Sequence, residues 1–538
     1  MRKFINEYKF YIFAFAAIFF LIFITYRHAD KFEFIGLDDT TIIANKVSEM
    51  DSVSKLKNFL TQPVFDEADS LFYRPFLNLS FAIDSIISGG ELGFYHFSNA
   101  MIHTAAVFTL LIFLLLLNYS KTLSLTLSLI FAVEPIIVSA IAWIPGRNDS
   151  LLAIFVFLSL IFFIKTVQTG KILHGVFASI FLLSAFLTKE TAIIIPPVFL
   201  LYLFCYGKPD KKNLLTAFIV SAIPFFAYIL LRTYTLSQGS GNLDLAKAAL
   251  NLFHSLAAYL WYLKTVFFLE KIYLYPNNLP ITIHSVSAGL IPLIFFASAA
   301  YIFRKKANFK HIIFGLLWYI LFLAPTIVAR TGTYFNHRLY LPIVGIFIIV
   351  AEIAVIAPLN SGLKIKKILF ALGAATIVLF ALASYKYSFY YKDASSFWFN
   401  AYRQNPLSST AAIEVSARYS AAGDLENAEK YLLTALDMDK NRPKTIMLIL
   451  AGNFYFDKKD DAKAFEYYAK AEERNKYNEY IYVGLSRHYE MLRDKERALK
   501  ELERGLAIIP KSKLIAKRIK ILKGEIHDDS YVVTMKAN

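Results

Sequence analysis

The chain has 538 residues, of which 57% are hydrophobic and 18% charged, with a positive mean hydropathy and a formal net charge of +16. That balance excludes an ordinary water-soluble globular protein, in which about a quarter of the residues carry charge. The positive excess is spread over short loops without interleaved aromatic and basic side chains, which argues against nucleic acid as a partner. Cys205 is the single cysteine, so no disulfide framework and no cysteine metal site is available.

The first apolar run, "FYIFAFAAIFFLIFITY", follows the basic "MRKFINEYK". It is long for a signal-peptide core and has no small-residue cleavage site behind it, so it reads as an uncleaved signal anchor. Runs long enough to cross about 30 Å of hydrocarbon recur at 9–26, 97–117, 122–142, 149–166, 172–187, 191–206, 213–231, 283–303, 311–329, 338–358 and 366–384. Eleven crossings are expected, with the bilayer as the first partner. With the N-terminus in the cytoplasm, Lys121, the Lys165–Lys171 turn, "GKPDKKN", "RKKANFK" and "KIKK" all fall on the cytoplasmic side, as the positive-inside bias demands. A further apolar run, 247–268, would invert that pattern if it crossed, and is read as re-entrant or interfacial.

An odd number of crossings leaves the loop 27–95 and everything beyond residue 384 on the outer face. That face is the periplasm if the chain sits in a bacterial inner membrane, or the lumen of the endoplasmic reticulum in a eukaryote. The loop carries "EFIGLDDTTIIANK", in which the adjacent carboxylates of Asp38 and Asp39 are either solvated or held by partners for a purpose. Six cations break the charge bias, because Arg74, Arg147, Lys189, Arg232, Arg330 and Arg338 all fall outside, mostly at helix mouths. Taken together they suggest an anionic ligand. His96 and His103 are two helical turns apart and face the same way, which leaves open polar contacts to the acids or a ligand, a metal site, or a structural role; no compact set of further ligands accompanies them.

The composition changes at residue 384. Beyond it lie 27 of the 57 Lys and Arg and 22 of the 41 Asp and Glu, and a helical pattern returns three times as "GDLENAEKYLLTAL", "DDAKAFEYYAKAEE" and "KERALKELERGLAI". The small residues Ala428 and Ala435, Ala464 and Ala471, and Ala498 and Gly505 are each seven apart, in sets separated by 36 and 34 residues. This is the tetratricopeptide period, in which small residues let paired helices approach and stacking buries the faces that a lone pair would expose. The expected domains are a membrane core, 1–384, with its outer-face loop, a linker, 385–408, repeats, 409–524, and a tail, 525–538. Such an array either recruits an extended peptide or a partner helix, or serves as a scaffold.

Five further stretches occur in order: "FYRPFLNLSFAID", "GFYHFSNAMIH", "EPIIVSAIAWIPGRNDSLLAIF", "LTKETAIIIPP" and "NHRLYLPIVG". With the acid pair and the repeats, they make the chain resemble the transmembrane and tetratricopeptide repeat protein O-mannosyltransferases of the C-type glycosyltransferase superfamily. The resemblance implies an all-α fold, a polytopic helical bundle of about eleven membrane helices followed by a C-terminal α-solenoid. It implies an inverting glycosyltransferase that moves a sugar from a polyprenyl-phosphate donor to a protein hydroxyl on the outer face, the protein acceptor being held by the repeats. Asp38 then matches the base that takes the hydroxyl proton, assisted by Asp39. Arg338 and Arg147, followed by Lys189 and Arg232, are candidates to neutralise the leaving phosphate. Tyr73, Arg74, His96, His103, Glu134, Glu190 and His337 would support substrate or loop, Arg74 by a salt bridge to the acid pair and Glu190 as the neighbour of Lys189, either in the site or as an ion pair that finishes a helix. No cofactor is required by the resemblance, and a divalent metal stays open.

The sequence departs from the family at two places. Glu134, Pro135, Ile137 and Ser139 stand where a His-Pro-x-His-x-Glu arrangement is common, and His337 precedes Arg338 where the family usually has an acid. Sugar recognition lives in such positions, so the resemblance implies a hexose, with mannose one candidate and not a fixed choice. A non-catalytic envelope scaffold, or a lipid-linked sugar transporter with partner-binding repeats, is the alternative reading.

Overall fold

The computed structural model describes residues 2–44, 46, 50, 52–65, 72–236, 256–268, 272–277, 282–302, 308–328, 334–356, 362–441, 443–510 and 512–525. They fall into two compact units, one formed by residues 1–64, 71–272 and 280–394, the other by 65–70, 273–279 and 395–538.

In the first unit, α1 (Arg2–Tyr26) runs through a 3-10 turn into the outer loop, which holds the short α2 (Asp38–Ile42). There follow α3 (Pro75–Ser88) and α4 (Leu92–Leu116). Pro75 starts α3, where its missing N–H costs nothing, and Gly89, at φ 68°, ends it in the left-handed region. The Ser120 hydroxyl caps α5 (Lys121–Ala132) by accepting from the Leu123 amide, and Pro135 separates α5 from α6 (Ser139–Ala142). Next come α7 (Arg147–Thr169), α8 (Ile172–Phe186), α9 (Ile195–Cys205) and α10 (Lys211–Thr235), the last capped by Asp210. The unit closes with α11 (Leu256–Phe267), α12 (Ile283–Ile302), α13 (Phe309–Val328), α14 (Pro342–Ile356) and α15 (Gly362–Ser388).

Among the described residues, six helices are long and apolar enough to cross a membrane: α1, α4, α7, α10, α13 and α15. The run expected at 122–142 is α5 and α6, bent by 44° at Pro135, and makes a seventh span if the pair crosses as one. Of the remaining four expected crossings, α8, α9 and α14 are apolar helices below the length of a full span, while α12, at 20 residues, reaches about 30 Å. The eleven expected crossings thus correspond, among the described residues, to seven candidate spans, the 20-residue α12 and three shorter helices; α14, at 15 residues, reaches about 22 Å. An apolar helix that was not expected, α3, is added to these. The run 247–268 lies partly outside the described residues; its described part, α11, is 12 residues and about 18 Å long.

Multi-pass membrane insertion follows from these helices. At one end of the bundle the close of α1 lies beside the close of α15: His28 Nε2 is 2.7 Å from Ser388 Oγ, and the Glu33 amide donates to the Lys392 carbonyl at 2.7 Å. The two helices therefore end on the same side of the bundle.

The second unit begins with α16 (Ala394–Gln404) and continues as α17 (Ser409–Ala421) with α18 (Leu425–Met438), α19 (Thr445–Asp457) with α20 (Asp461–Arg474), α21 (Glu479–Met491) with α22 (Lys495–Ile508), and α23 (Lys513–Lys523). The three pairs repeat the same turn: Gly423, Lys459 and Arg493 take positive φ, and the next residue, Asp424, Asp460 or Asp494, caps the second helix. The small residues predicted to sit between helices are all buried, and a Cβ on Gly505 would meet the Tyr482 ring at 2.6 Å. The solenoid expected from the period is thus what the chain forms.

Candidate functional site

Gly36, at φ 76°, turns the outer loop into α2 and places both acids in the first turn of that helix. Asp39 folds inward with 1% of its surface exposed; its Oδ2 accepts from the Ile35 amide at 2.6 Å and its Oδ1 from the Thr40 amide at 3.1 Å. Burial pushes this carboxyl up to about 6, with the neighbouring Asp38 adding to the rise and the amide hydrogen bonds opposing it. Asp38 is exposed. α2 packs against the turn Ile144–Gly146, which leads into α7.

The first turn of α7 and the loop between α8 and α9 bring in the cations. Lys189 Nζ lies 2.6 Å from Asp149 Oδ1, and Arg74 holds Glu190 through Nε, at 3.0 Å, and a terminal nitrogen, at 2.8 Å. With the Asn148 amide oriented to donate to the Thr188 carbonyl, its oxygen accepts from the other Arg74 nitrogen at 3.0 Å. Arg232, in the last turn of α10, donates to the Tyr228 hydroxyl at 3.2 Å and approaches Glu190 at 3.9 Å. Arg338 sits on the 3-10 turn before α14, over the Phe335 ring at 5.6 Å and in hydrogen-bond reach of the Tyr262 hydroxyl.

Electrostatics links these groups. Burial lowers the pKa of Lys189, the Asp149 carboxylate opposes this, and Arg74 and Arg338 add to the fall. Burial works against the charge of Arg74 as well, but Glu190, and beyond it Asp149 and Asp38, hold it above its ordinary range. His337 lies among the same charges; burial first, and then Lys189, Arg338 and Arg74, push it down to about 3, so its imidazole is neutral near pH 7. The exposed acid and three cations from distant parts of the chain therefore share one end of the helical unit. Such a place suits an anion whose charge grows during a reaction, next to a carboxylate able to accept a proton.

Other expected site residues are placed differently. Arg147 is fully buried: it pairs with Asp84 at 2.6 Å, donates to Asn99 Oδ1 at 2.6 Å and to the Tyr95 carbonyl at 2.9 Å, and lies over the Phe81 ring at 4.5 Å. Protein acceptors use its donors, which corrects its assignment to the donor phosphate. His103 is equally committed, 2.6 Å from the Tyr340 hydroxyl and 3.1 Å from the Ala132 carbonyl, and so ties α4 to the end of α5 and to the turn before α14. His96 shares its face, buried with its ring 5.9 Å from that of Phe32. Tyr73 is buried and donates to the Leu60 carbonyl at 2.7 Å, which folds the outer loop. Glu134 is buried at the α5 break.

Two expected pairings are also revised. Lys189 and Glu190 do not pair with each other, because an extended backbone at Lys189 sends the two side chains to Asp149 and Arg74. Arg74 accordingly bridges to Glu190 rather than to the acid pair. Among the described residues no group of three or more His, Cys, Asp or Glu is arranged to hold a metal ion. Sequence reasoning missed Asp149, Asp84 and Asn99. Asp84 and Asn99 carried a faint signal as polar residues in apolar helices, and Asp149 lay unweighted inside Gly-Arg-Asn-Asp.

Residues 85–232 match the family model for dolichyl-phosphate-mannose-protein mannosyltransferase, which is less than half of the chain. The matched segment takes in Arg147, Asp149, Lys189, Glu190 and Arg232, while Asp38, Asp39, Arg74 and Arg338 lie outside it. Over that segment the chain is similar to membrane mannosyltransferases of the C type, as its motifs imply. No curated protein matches the chain. Among solved structures it is similar to a chain of the crystal structure of the APC/C hetero-tetramer Cut9-Hcn1, at 11% identity over 83% of this chain and 89% of that chain, with a TM-score of 0.23, a likeness that carries no argument.

Proposed function

From the likeness of residues 85–232 to the dolichyl-phosphate-mannose-protein mannosyltransferases, we propose that the chain is an integral-membrane inverting glycosyltransferase. Its donor is a hexose, mannose on the family's pattern, linked to a polyprenyl phosphate, and its acceptor is a protein hydroxyl on the outer face of the membrane. The observation that carries this reading is the joining of Asp38, Arg74, Lys189 and Arg338 in one field at one end of the helical unit.

In the reaction the acceptor oxygen attacks the anomeric carbon from the face opposite the phosphate. As that bond forms, the hydroxyl proton passes to the Asp38 carboxylate; as the glycosidic bond breaks, its electron pair leaves with the polyprenyl phosphate. Arg338 and Lys189 neutralise the charge that accumulates on the leaving phosphate, while Arg74 and Arg232, both held by Glu190, keep the loop after α8 in place. Asp39 holds the turn that presents Asp38. The repeats present the acceptor.

The test is Asp38→Asn. Purified protein given a labelled polyprenyl-phosphate hexose and an acceptor should release polyprenyl phosphate, and the variant should lose about 100-fold or more of that rate with an unchanged elution profile. Equal rates for both proteins would remove Asp38 as the base, and no release by either would favour a scaffold or transporter.

A further inference from the structure

At the end of the helical unit away from the acid pair, a groove of about 770 Å³ opens along α8 and α10. α7 fixes the separation: its first residue, Arg147, belongs to the candidate-site end, and its last, Thr169, lies at the groove mouth about 34 Å away along a 23-residue helix. The inner walls are apolar, with Ile180, Leu183, Ile223, Pro224 and Ala227. The outward faces of both helices are apolar as well, Ile172 being 83% exposed and Phe226 64%. A surface of that kind between membrane helices is filled by acyl chains, since water there would leave apolar walls wetted.

The mouth is different. Gly170, at φ 69°, makes the tight turn from α7 to α8, and Lys212 Nζ lies 3.7 Å from the position a Cβ on Gly170 would take. Lys212 thus reaches from α10 across the mouth, with Lys165, Lys171, Lys208 and Lys211 nearby in the sequence against the single acid Asp210. That carboxylate is engaged in capping α10, where it accepts from the Asn213 amide at 2.8 Å. The hydroxyls of Thr169 and Thr216 already donate to carbonyls of their own helices, so Lys212 is the group at the mouth suited to a phosphate. A second feature favours a lipid: α8 has 15 residues, about 22 Å, beside an α10 of 25 residues, about 37 Å. The short helix cannot cover the long one across the whole hydrocarbon layer, and a lipid chain makes up the difference.

We propose that this groove binds one anionic phospholipid, its acyl chains lying along α8 and α10 and its phosphate at Lys212. The site is independent of the sugar-transfer reading, because it uses none of the residues of the candidate site. The occupant is anionic because the mouth is basic, and a phospholipid because the groove below the mouth is apolar.

The test reconstitutes the full chain in nanodiscs of equimolar phosphatidylglycerol and phosphatidylcholine, releases it, and counts retained lipid by native mass spectrometry. Wild-type protein should retain phosphatidylglycerol preferentially. Lys212→Gln, an exposed position, should lower that preference about fivefold, the effect of losing about 1 kcal/mol from one surface lysine. Ala227→Phe, which fills the apolar end, should reduce retention of both lipids with an unchanged elution volume. Equal retention of the two lipids by the wild type, or an unchanged preference in Lys212→Gln, would overturn the proposal.

Discussion

Arg147 and Arg338 carry the same guanidinium and lie at the same end of the helical unit, yet their surroundings assign them opposite tasks. Arg147 is enclosed with Asp84 and with carbonyl and amide acceptors, so its charge is cancelled and its donors are used in holding α3, α4 and α7 together. Arg338 is half-buried, in reach of the Tyr262 hydroxyl and in the field of Lys189, on the turn before α14. A similar division separates the two aspartates. Asp39 has its carboxyl raised from 3.8 to about 6 in the folded chain, so the folded state holds its proton over a range in which the unfolded state has lost it. Its stabilising contribution is complete below pH 3.8 and is lost as pH rises through about 6, a loss of at most about 3 kcal/mol. Asp39→Asn cannot titrate. The difference in melting temperature, wild type minus variant, measured in detergent, should therefore fall between pH 4 and 6 and stay level above pH 7. A difference that does not change with pH would show that Asp39 is not the buried acid described.

At the scale of elements, the helices of the membrane unit are set by close approach as much as by hydrophobicity. α13 and α14 meet at Gly315 and Gly345, where a Cβ on Gly345 would lie 2.3 Å from the Gly315 carbonyl oxygen and 2.8 Å from the Tyr319 nitrogen. Backbone cannot yield as a side-chain tip can, so the added methyl must separate the helices. Gly345→Ala should cost about 1–3 kcal/mol, seen as a lower melting temperature in detergent. Gly175→Ala in α8, whose Cβ would meet its nearest neighbours at an ordinary 3.6 Å, should be neutral or slightly stabilising. The same reasoning was readable in the tail without coordinates, because there the small residues recur at fixed spacing. Gly315 and Gly345 belong to no repeat, so nothing in their spacing announces that they touch.

For the whole molecule, sidedness decides whether the candidate site can meet a secreted acceptor. The charge bias predicts Glu33 on the outer face and Lys171 on the cytoplasmic one, and both are exposed. With Cys205→Ser as background, a membrane-impermeant maleimide applied to right-side-out vesicles should label Glu33→Cys at once and Lys171→Cys only after permeabilisation. Labelling of Glu33→Cys only after permeabilisation would place the acid pair inside the cell and end the glycosyltransferase proposal, and immediate labelling of both would overturn the expected alternation. The bundle is consistent with the expected alternation, because the outer ends assigned to α1, α10 and α15, and the mouths before α7 and α14, do gather at one end.

The amino-acid sequence by itself determined that the chain crosses a membrane many times, that it ends in three helix pairs of one design, and which cations stand apart from the charge bias. Those are properties of local composition and period, and hydrophobic length and repeat spacing act residue by residue along the chain. Only the tertiary structure decided which charges are used up and which are shared. Arg147 and Arg338 differ in partners brought from far along the chain, Asp84 and Asn99 for one, Lys189 and Tyr262 for the other. Burial and pairing of a charge depend on where other segments come to rest, and no spacing within a single helix carries that information.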